Sequence, residues 1–291
     1  ELNIMNVKNV TGAWLDLVTK INNKGIMISP RGIPCKEILS NQTRVAMTDP
    51  ILKTVERNLG YGFMAAEAAW ILSGDNRLAN IEKYSKFIWE FSDDGHYYSG
   101  AYGPMVVDQL TYICDMLEED HDTRQSLLTI WRPNPRASRD IPCTISLQWV
   151  LRDNKLHCID TMRSSDAWLG WPYDMFNISM LSGMILLMLR DREYRGTSDD
   201  PIGDNDWTWC DVELGDIIMT AGSSHIYASN EAAIKLALAD PREYNADKFN
   251  WTVFNGPEHL ILHLQLKAAI LAGAKREAKA QILENFFDVI R

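Results

Sequence analysis

The pattern that most narrows what this chain can fold into lies between residues 143 and 166. Thr144-Ile-Ser-Leu-Gln-Trp-Val-Leu151 alternates in polarity, Arg152-Asp-Asn-Lys155 supplies turn residues, and Leu156 to Met162 returns. This predicts a β-hairpin with Cys143 at its entry. An apolar stretch from Met175 to Leu189 follows, interrupted by Asn177, Ser179 and Ser182. It is shorter than the roughly 20 residues that span a bilayer. It therefore reads as a buried helix, with Asp174 placed as its N-cap.

Elsewhere the signals are coarser. Apolar residues recur at helical spacing from Ile51 to Leu72, with Gly60 and Gly62 as weak points, and again from Met105 to Leu117. Ser126 to Trp131 is short and apolar, and RPNPRASRDIP after it reads as a loop. Beyond a polar, Trp-rich segment (194–212), Asp216-Ile-Ile-Met-Thr is expected to be another strand, leading into Gly222-Ser-Ser-His-Ile-Tyr227. The tail from Glu258 to Ile290 is helical in composition, with a break at Gly273. No internal repeat or long linker is visible, so residues 1–291 read as one domain. Strands in the middle and helices at either end make the class α+β.

Composition excludes several roles. Asp and Glu number 39 against 29 Lys and Arg, a formal net charge of −10. This argues against a general nucleic-acid binder, although a few local arginines suffice to hold a small phosphate. The opening ELNIMNVKNVTGAW lacks a basic start followed by an apolar core, so no secretory signal and no membrane partner are expected. Five cysteines (Cys35, Cys114, Cys143, Cys158, Cys210) are odd in number, widely spaced and without a CxxC pair. A disulfide framework and a thiolate zinc site are both disfavoured. A reducing cytoplasm is the expected compartment, with at least one thiol available as a nucleophile.

Four features bear on chemistry. Cys143 follows Pro142 at a loop-to-strand junction, where a thiol can face a cleft, although most single cysteines are core residues. Arg163-Ser-Ser-Asp166 ends a strand, and a guanidinium beside a hydroxyl suits phosphate oxygens as readily as a solvated turn. Asp174 sits in an apolar context, Trp171-Pro-Tyr-Asp-Met-Phe. Capping explains it, and so does recognition of a polar ligand edge by a desolvated carboxylate. His225 and Tyr227 alternate on an extended segment and so share one face, fit either for core packing or for a sugar hydroxyl. A Cys–His–Asp hydrolase would use the same residue types.

Taken in order, these segments resemble the thymidylate synthase family from about Arg31 to Asn230. The strongest blocks are IPCTISLQWVLRDNKLHCIDTMRSSDAWLGWPYD and LGDIIMTAGSSHIYASN, with nucleophile Cys, RS-x-D, LG-x-P and H-x-Y in family order. EAAWILSGD (67–75), the Trp89 region, YG at 102–103 and DTR at 122–124 follow the earlier blocks. The resemblance implies a central, mostly antiparallel or mixed sheet with helices packed on it and a sheet face forming a homodimer interface. It implies that Cys143 attacks carbon 6 of a pyrimidine nucleoside monophosphate. Arg31, Arg163 and Ser164 would hold the phosphate, Arg124 would reach into the partner's phosphate site, and His225 and Tyr227 would bind the sugar 3′-hydroxyl. Glu67 matches the family's proton-handling carboxylate, and Tyr102 a tyrosine of proton removal from carbon 5. Trp89, Asp166, Leu169, Gly170 and Tyr173 lie where the family holds 5,10-methylenetetrahydrofolate. No metal is implied.

The departures from the family pattern carry the specific reading. Asp174 stands where thymidylate synthases have Asn, whose amide suits uracil's carbonyl 4 and ring N–H. A carboxylate instead accepts from cytosine's amino group, and when protonated also donates to its ring nitrogen. Against uracil, an ionised Asp174 faces a carbonyl oxygen, and buried unpaired groups cost about 1–3 kcal/mol. In this respect the chain is similar to the phage deoxycytidylate hydroxymethylases, for which the compartment is the infected host's cytoplasm. Gln125 replaces a second Arg, Thr144 replaces a His, and EFSDDGHYY after Trp89 lacks a second Trp. Residues 248–291 do not resemble the family's C-terminal closure over the folate. The expected activity is 5-hydroxymethylation of a cytidine 5′-monophosphate, dCMP first. Alternatives are a dCMP 5-methyltransferase, a CMP 5-hydroxymethylase, the hydrolase, and a binding paralogue without catalysis.

Overall fold

The computed structural model describes residues 7–85, 87–134, 137–196, 208–240 and 242–288. In chain order the elements are α1 (Val10–Lys24), β1 (Ile26–Ile28), β2 (Cys35–Ala46), α2 (Tyr61–Leu72), α3 (Leu78–Ile81), α4 (Tyr102–Glu119), β3 (Leu127–Thr129), β4 (Thr144–Arg152), β5 (Lys155–Asp166), α5 (Trp171–Gly196), β6 (Glu213–Tyr227), α6 (Glu231–Ala239), α7 (Pro257–Ala272) and α8 (Arg276–Glu284). The strands form one mixed sheet in the order β1-β2-β6-β5-β4-β3. The class is α+β.

The expected hairpin is β4–β5, paired antiparallel with Arg152 opposite Lys155. Its two loop residues, Asp153 and Asn154, both take left-handed backbone angles (φ 54 and 55). Asp and Asn tolerate that region, and a two-residue loop with both φ positive matches the twist of the strands it joins. β5 and β6 are parallel, so the chain must cross over between them. α5 runs in that crossover.

α5 is buried nearly all round, which accounts for its apolar sequence. It spans 26 residues, longer than the apolar stretch alone indicated, and is long and apolar enough to cross a membrane by composition, yet 78% of that window is buried inside the fold. The serines interrupting it are satisfied internally. Ser179 Oγ donates to Met175 O at 2.8 Å, Ser182 Oγ to Ile178 O at 2.8 Å, and Ser182 Oγ accepts from Trp149 Nε1 at 2.9 Å.

Three expectations need correction. Asp174 is not an N-cap: its backbone N–H already bonds Gly170 O at 3.1 Å, so it lies inside the first turn. The preceding turn is organised by Asp166, whose Oδ1 accepts from Trp168 N and Leu169 N, each at 2.8 Å. From Ile51 to Leu72 only 61–72 is helical. The segment before Gly60 is irregular and is pinned by Tyr61 Oη donating to Leu52 O at 2.7 Å. Strands are also not confined to the middle. β2 near the N-terminus pairs with β6 over eleven registered positions, its polar composition having hidden it.

The tail breaks at Gly273, as expected, into α7 and α8. Gly62 of α2 faces α7 so closely that a Cβ there would lie 3.2 Å from Ala272 N. His263 is tied to Phe286 O at 2.7 Å, and Lys267 Nζ donates to Asn285 O at 2.6 Å. Phe286 and Phe287 pack on Phe176 of α5. The segment through residue 288 thus belongs to the core. Parts of the 132–142 loop, most of the Trp-rich 194–212 segment and the last residues of the tail lie outside the described residues.

α4 meets the end of α2 through a glycine. A Cβ on Gly103 would sit 2.6 Å from Asp75 O and 2.9 Å from Asp75 N, backbone atoms with no side-chain freedom to yield. Gly103→Ala is expected to cost about 2–3 kcal/mol, measured by chemical denaturation, while an alanine at the open Gly273 should be close to neutral.

Candidate active site

One face of the sheet is sealed along most of its length and opens at one end. On β5, Leu156, Cys158, Asp160 and Met162 are buried, whereas Ser164 and Asp166 are half-buried. On β6, Ile217, Met219 and Ala221 are buried, and Ser223, His225 and Tyr227 are half-buried. Because alternate residues share a face, these series mark a core that becomes a cleft. Register pairs Ser164 with Ser223 and Asp166 with His225.

Cys143 lies at the entry to β4, half-buried, and its Sγ accepts from Arg163 Nη2 at 3.7 Å. The guanidinium is fixed by three further contacts. Nε donates to Pro142 O at 2.8 Å, Nη2 to Ile141 O at 3.0 Å, and the group lies 5.7 Å from the centre of the Trp131 ring. Burial pushes the thiol pKa up, Arg163 draws it down, and Asp174 pushes it up again. Arg163 therefore favours the thiolate, but burial outweighs it in the free protein. No hydrogen bond among the described residues joins Cys143 to His225, so the hydrolase arrangement is absent there.

Acids surround this thiol. Tyr102 opens α4, and its hydroxyl accepts from Thr144 N at 3.1 Å. Burial first, then Asp174 and Cys143, push its pKa up. Glu67 on α2 accepts from Asn177 Nδ2 at 2.8 Å. Burial raises it to about 7, against that hydrogen bond. Asp174 is pushed well above the ordinary carboxylate range by burial, then by Asp160, Glu67 and Asp166. Its ionisation is disfavoured, because a desolvated charge among like charges is costly.

At the far end of the cleft His225 and Tyr227 meet edge to face, ring centres 5.2 Å apart. Burial lowers the His225 pKa, Asp166 and Glu37 raise it, and Arg163 and Arg31 lower it. Both guanidiniums thus act on the same imidazole. Arg31 is exposed in the short turn before β2, with φ 54, the left-handed region. Arg124 stands apart, exposed before β3, with its carbonyl accepting from Gln148 Nε2 at 2.7 Å.

The remaining candidates are uneven. Asp166 Oδ2 is buried without a hydrogen-bond partner. Leu169 is 52% exposed and Trp89 57% exposed, Trp89 in a turn over Ile88–Phe91. A Cβ on Gly170 would lie 3.6 Å from Asp174 Oδ2. Tyr173 Oη accepts from Gly60 N at 3.2 Å, its ring edge-on to Phe63 at 5.2 Å.

Three neighbours escaped the sequence reading. Asn177 is three residues after Asp174 on α5, a spacing that shares a helix face, and its interruption of the apolar stretch was the available signal. Asp160 is fully buried, and neither carboxyl oxygen has a hydrogen-bond partner. Its inward place in the period-2 series Leu156, Cys158, Asp160, Met162 was legible as an anomaly. Arg57 donates to Trp168 O at 2.7 and 3.1 Å and lies over that indole at 4.5 Å. It comes from the irregular segment, whose apolar spacing gave no sign of this contact.

Residues 12–190 match the thymidylate synthase family, and the chain belongs to it. The chain is also similar to a deoxyuridylate hydroxymethyltransferase of Bacillus phage SP01, 26% identical over 245 residues, covering 77% of this chain and 58% of that protein. The chain thus spans little more than half the length of that relative.

Two outcomes follow from the buried acids. Asp160 is raised to about 8 by desolvation, so its contribution to stability is complete below about pH 4 and is lost as pH climbs toward 8. Asp160→Asn should therefore gain on the parent between pH 4 and pH 8, by on the order of 5 kcal/mol, in denaturation at each pH. Asn177→Leu removes the donor that favours ionised Glu67. The Glu67 titration, followed by carbon-13 NMR of its carboxyl, should rise by about one unit.

Proposed function

We propose that the cleft binds a cytidine 5′-monophosphate, dCMP before CMP, and that a one-carbon unit is added to carbon 5 of its base to give a hydroxymethyl product. The observation that carries this reading is Asp174, a buried acid whose ionisation is disfavoured beside Tyr102 and Cys143. Cytosine's ring nitrogen is basic and its 4-amino group is a donor. A carboxylic acid donates to the nitrogen and accepts from the amino group. If the proton passes to the ring nitrogen, both hydrogen bonds survive, now charge-assisted. With uracil the ring nitrogen already carries a proton and the 4-position is a weakly basic carbonyl oxygen, so the acid cannot pass its proton to the ring and, once ionised, faces that oxygen lone pair to lone pair.

The same proton assists the chemistry. Addition of a sulfur nucleophile to carbon 6 pushes electron density toward the ring nitrogen, where Asp174 neutralises it, and leaves carbon 5 nucleophilic. Cys143 is the nucleophile in this reading. Nucleotide binding brings a phosphate to Arg31, Arg163 and Ser164, and Arg163 keeps the sulfur within reach as the thiolate forms. Tyr102 and Glu67 receive and return protons at carbon 5, Glu67 being poised near neutrality. His225 and Tyr227 take the sugar hydroxyl. Arg124, exposed and remote from its own cleft residues, serves a partner subunit in a homodimer.

The residues present suit methylenetetrahydrofolate. A buried carboxylate oxygen of Asp166 without a partner suits ring N–H donors, and the exposed faces of Leu169 and Trp89 suit a flat heterocycle, with Gly170 and Tyr173 following Leu169 in the chain. When bound, that co-substrate supplies the one-carbon unit at the oxidation level of formaldehyde. The hydroxymethyl outcome is supported by the activity in the name of the phage relative. A second reading, hydroxymethylation of deoxyuridylate, is favoured by the substrate in that relative's name.

Incubation with dCMP or dUMP and methylenetetrahydrofolate, followed by mass spectrometry, tests the reaction. The expected product is 5-hydroxymethyl-dCMP. A methylated base with stoichiometric dihydrofolate overturns it. Asp174→Asn is expected to move kcat/KM from dCMP toward dUMP by roughly tenfold to hundredfold. Unchanged preference would mean that the base is read elsewhere.

A further inference from the structure

Glu37 belongs to none of the groups assigned above. On β2 it is directly opposite His225 of β6, and His225 is registered with Asp166 of β5. Cross-strand partners project to the same face, about 5 Å apart. Glu37, His225 and Asp166 therefore form one row across three strands on the cleft face, an imidazole between two carboxylates. The next rung is Leu39, Ser223 and Ser164. From it Ser223 Oγ donates to Glu37 Oε1 at 2.5 Å. Tyr227 stands against the same imidazole.

An acid in this position needs a reason. A cleft that receives a phosphate monoester gains nothing from a bare carboxylate, which repels the ligand. Glu37 is held by Ser223 and faces His225. Asp166 is less able to hold the ring alone, since its Oδ1 is committed to the backbone N–H groups of Trp168 and Leu169. Carboxylates beside an imidazole fix which nitrogen carries the proton and how the ring is turned.

We propose that Glu37 is a positioning residue for the sugar end of the nucleotide: with Asp166 it brackets His225 and turns one ring nitrogen toward the cleft, where a sugar hydroxyl docks. This rests on the reading of the cleft as a nucleoside monophosphate site.

Calorimetric binding of dCMP to the full chain and to the variants Glu37→Gln, His225→Ala and the double variant tests it. Glu37→Gln is expected to weaken dCMP about tenfold, and to add little once His225 is alanine, since both changes remove one interaction. The His225 titration, followed by NMR without ligand, should fall in Glu37→Gln, because one of the two acids that raise it is gone. Ser223→Ala, which releases Glu37 from its hydroxyl, should weaken dCMP about threefold and gives the comparison a second route if Glu37→Gln folds poorly. Binding within twofold of the parent in both Glu37→Gln and Ser223→Ala, independent effects of Glu37→Gln and His225→Ala, or an unmoved His225 titration would overturn the proposal. Intact dCMP binding in His225→Ala would instead overturn the nucleotide reading of that end of the cleft. Weakened binding in His225→Ala alone sinks only the role of Glu37.

Discussion

Parallel pairing of β5 with β6 is the constraint from which the rest of the structure follows. Two parallel neighbours cannot be joined by a tight turn, so the chain leaves the sheet and returns by a crossover. That crossover contains α5, buried on nearly every side. Its first turn begins five residues after β5 ends, and this places Asp174 and Asn177 among side chains from α2, α4 and β5. Shortening or displacing the crossover would uncouple Asp174 from Tyr102 and Glu67 from Asn177 together.

Electrostatics then gives the cleft its character. Glu67, Asp160, Asp166 and Asp174 are all raised by burial. Arg163 is spent on two carbonyls and a sulfur, and Arg57 on a carbonyl and an indole. Acids crowded in this way resist ionisation, since a desolvated charge among like charges is costly. A site that stores protons beside a thiol suits a reaction in which a ring is first activated and then deprotonated. It suits a charge-relay hydrolase poorly, as that needs an imidazole on its nucleophile, and here the imidazole stands with Tyr227 and two carboxylates.

Much of the architecture was legible because its signals are local. The β4–β5 hairpin, α4, α5 and the break at Gly273 each follow from a short-range period or a turn residue. Most candidate side chains were legible as motifs in a fixed order, and the match over residues 12–190 bears out the family. What escaped had no local signature. β2 is polar and is defined only by pairing with β6. Residues 51–60 carry an apolar spacing that tertiary contacts override. Arg57 and Glu37 reach the site from segments whose own sequences say nothing of their neighbours.

The sequence by itself determined the fold class, the order of the thiol, guanidinium, acid and imidazole along the chain, and the one acid that departs from the family pattern. Tertiary structure alone decided the surroundings of those groups: that Asp174 lies within its helix where burial disfavours its ionisation, that burial outweighs Arg163 at the thiol, and that His225 sits between Glu37 and Asp166. A residue's chemistry is written in its side chain, but its proton affinity is set by solvent exclusion and by charges from distant parts of the chain. Only folding brings those together.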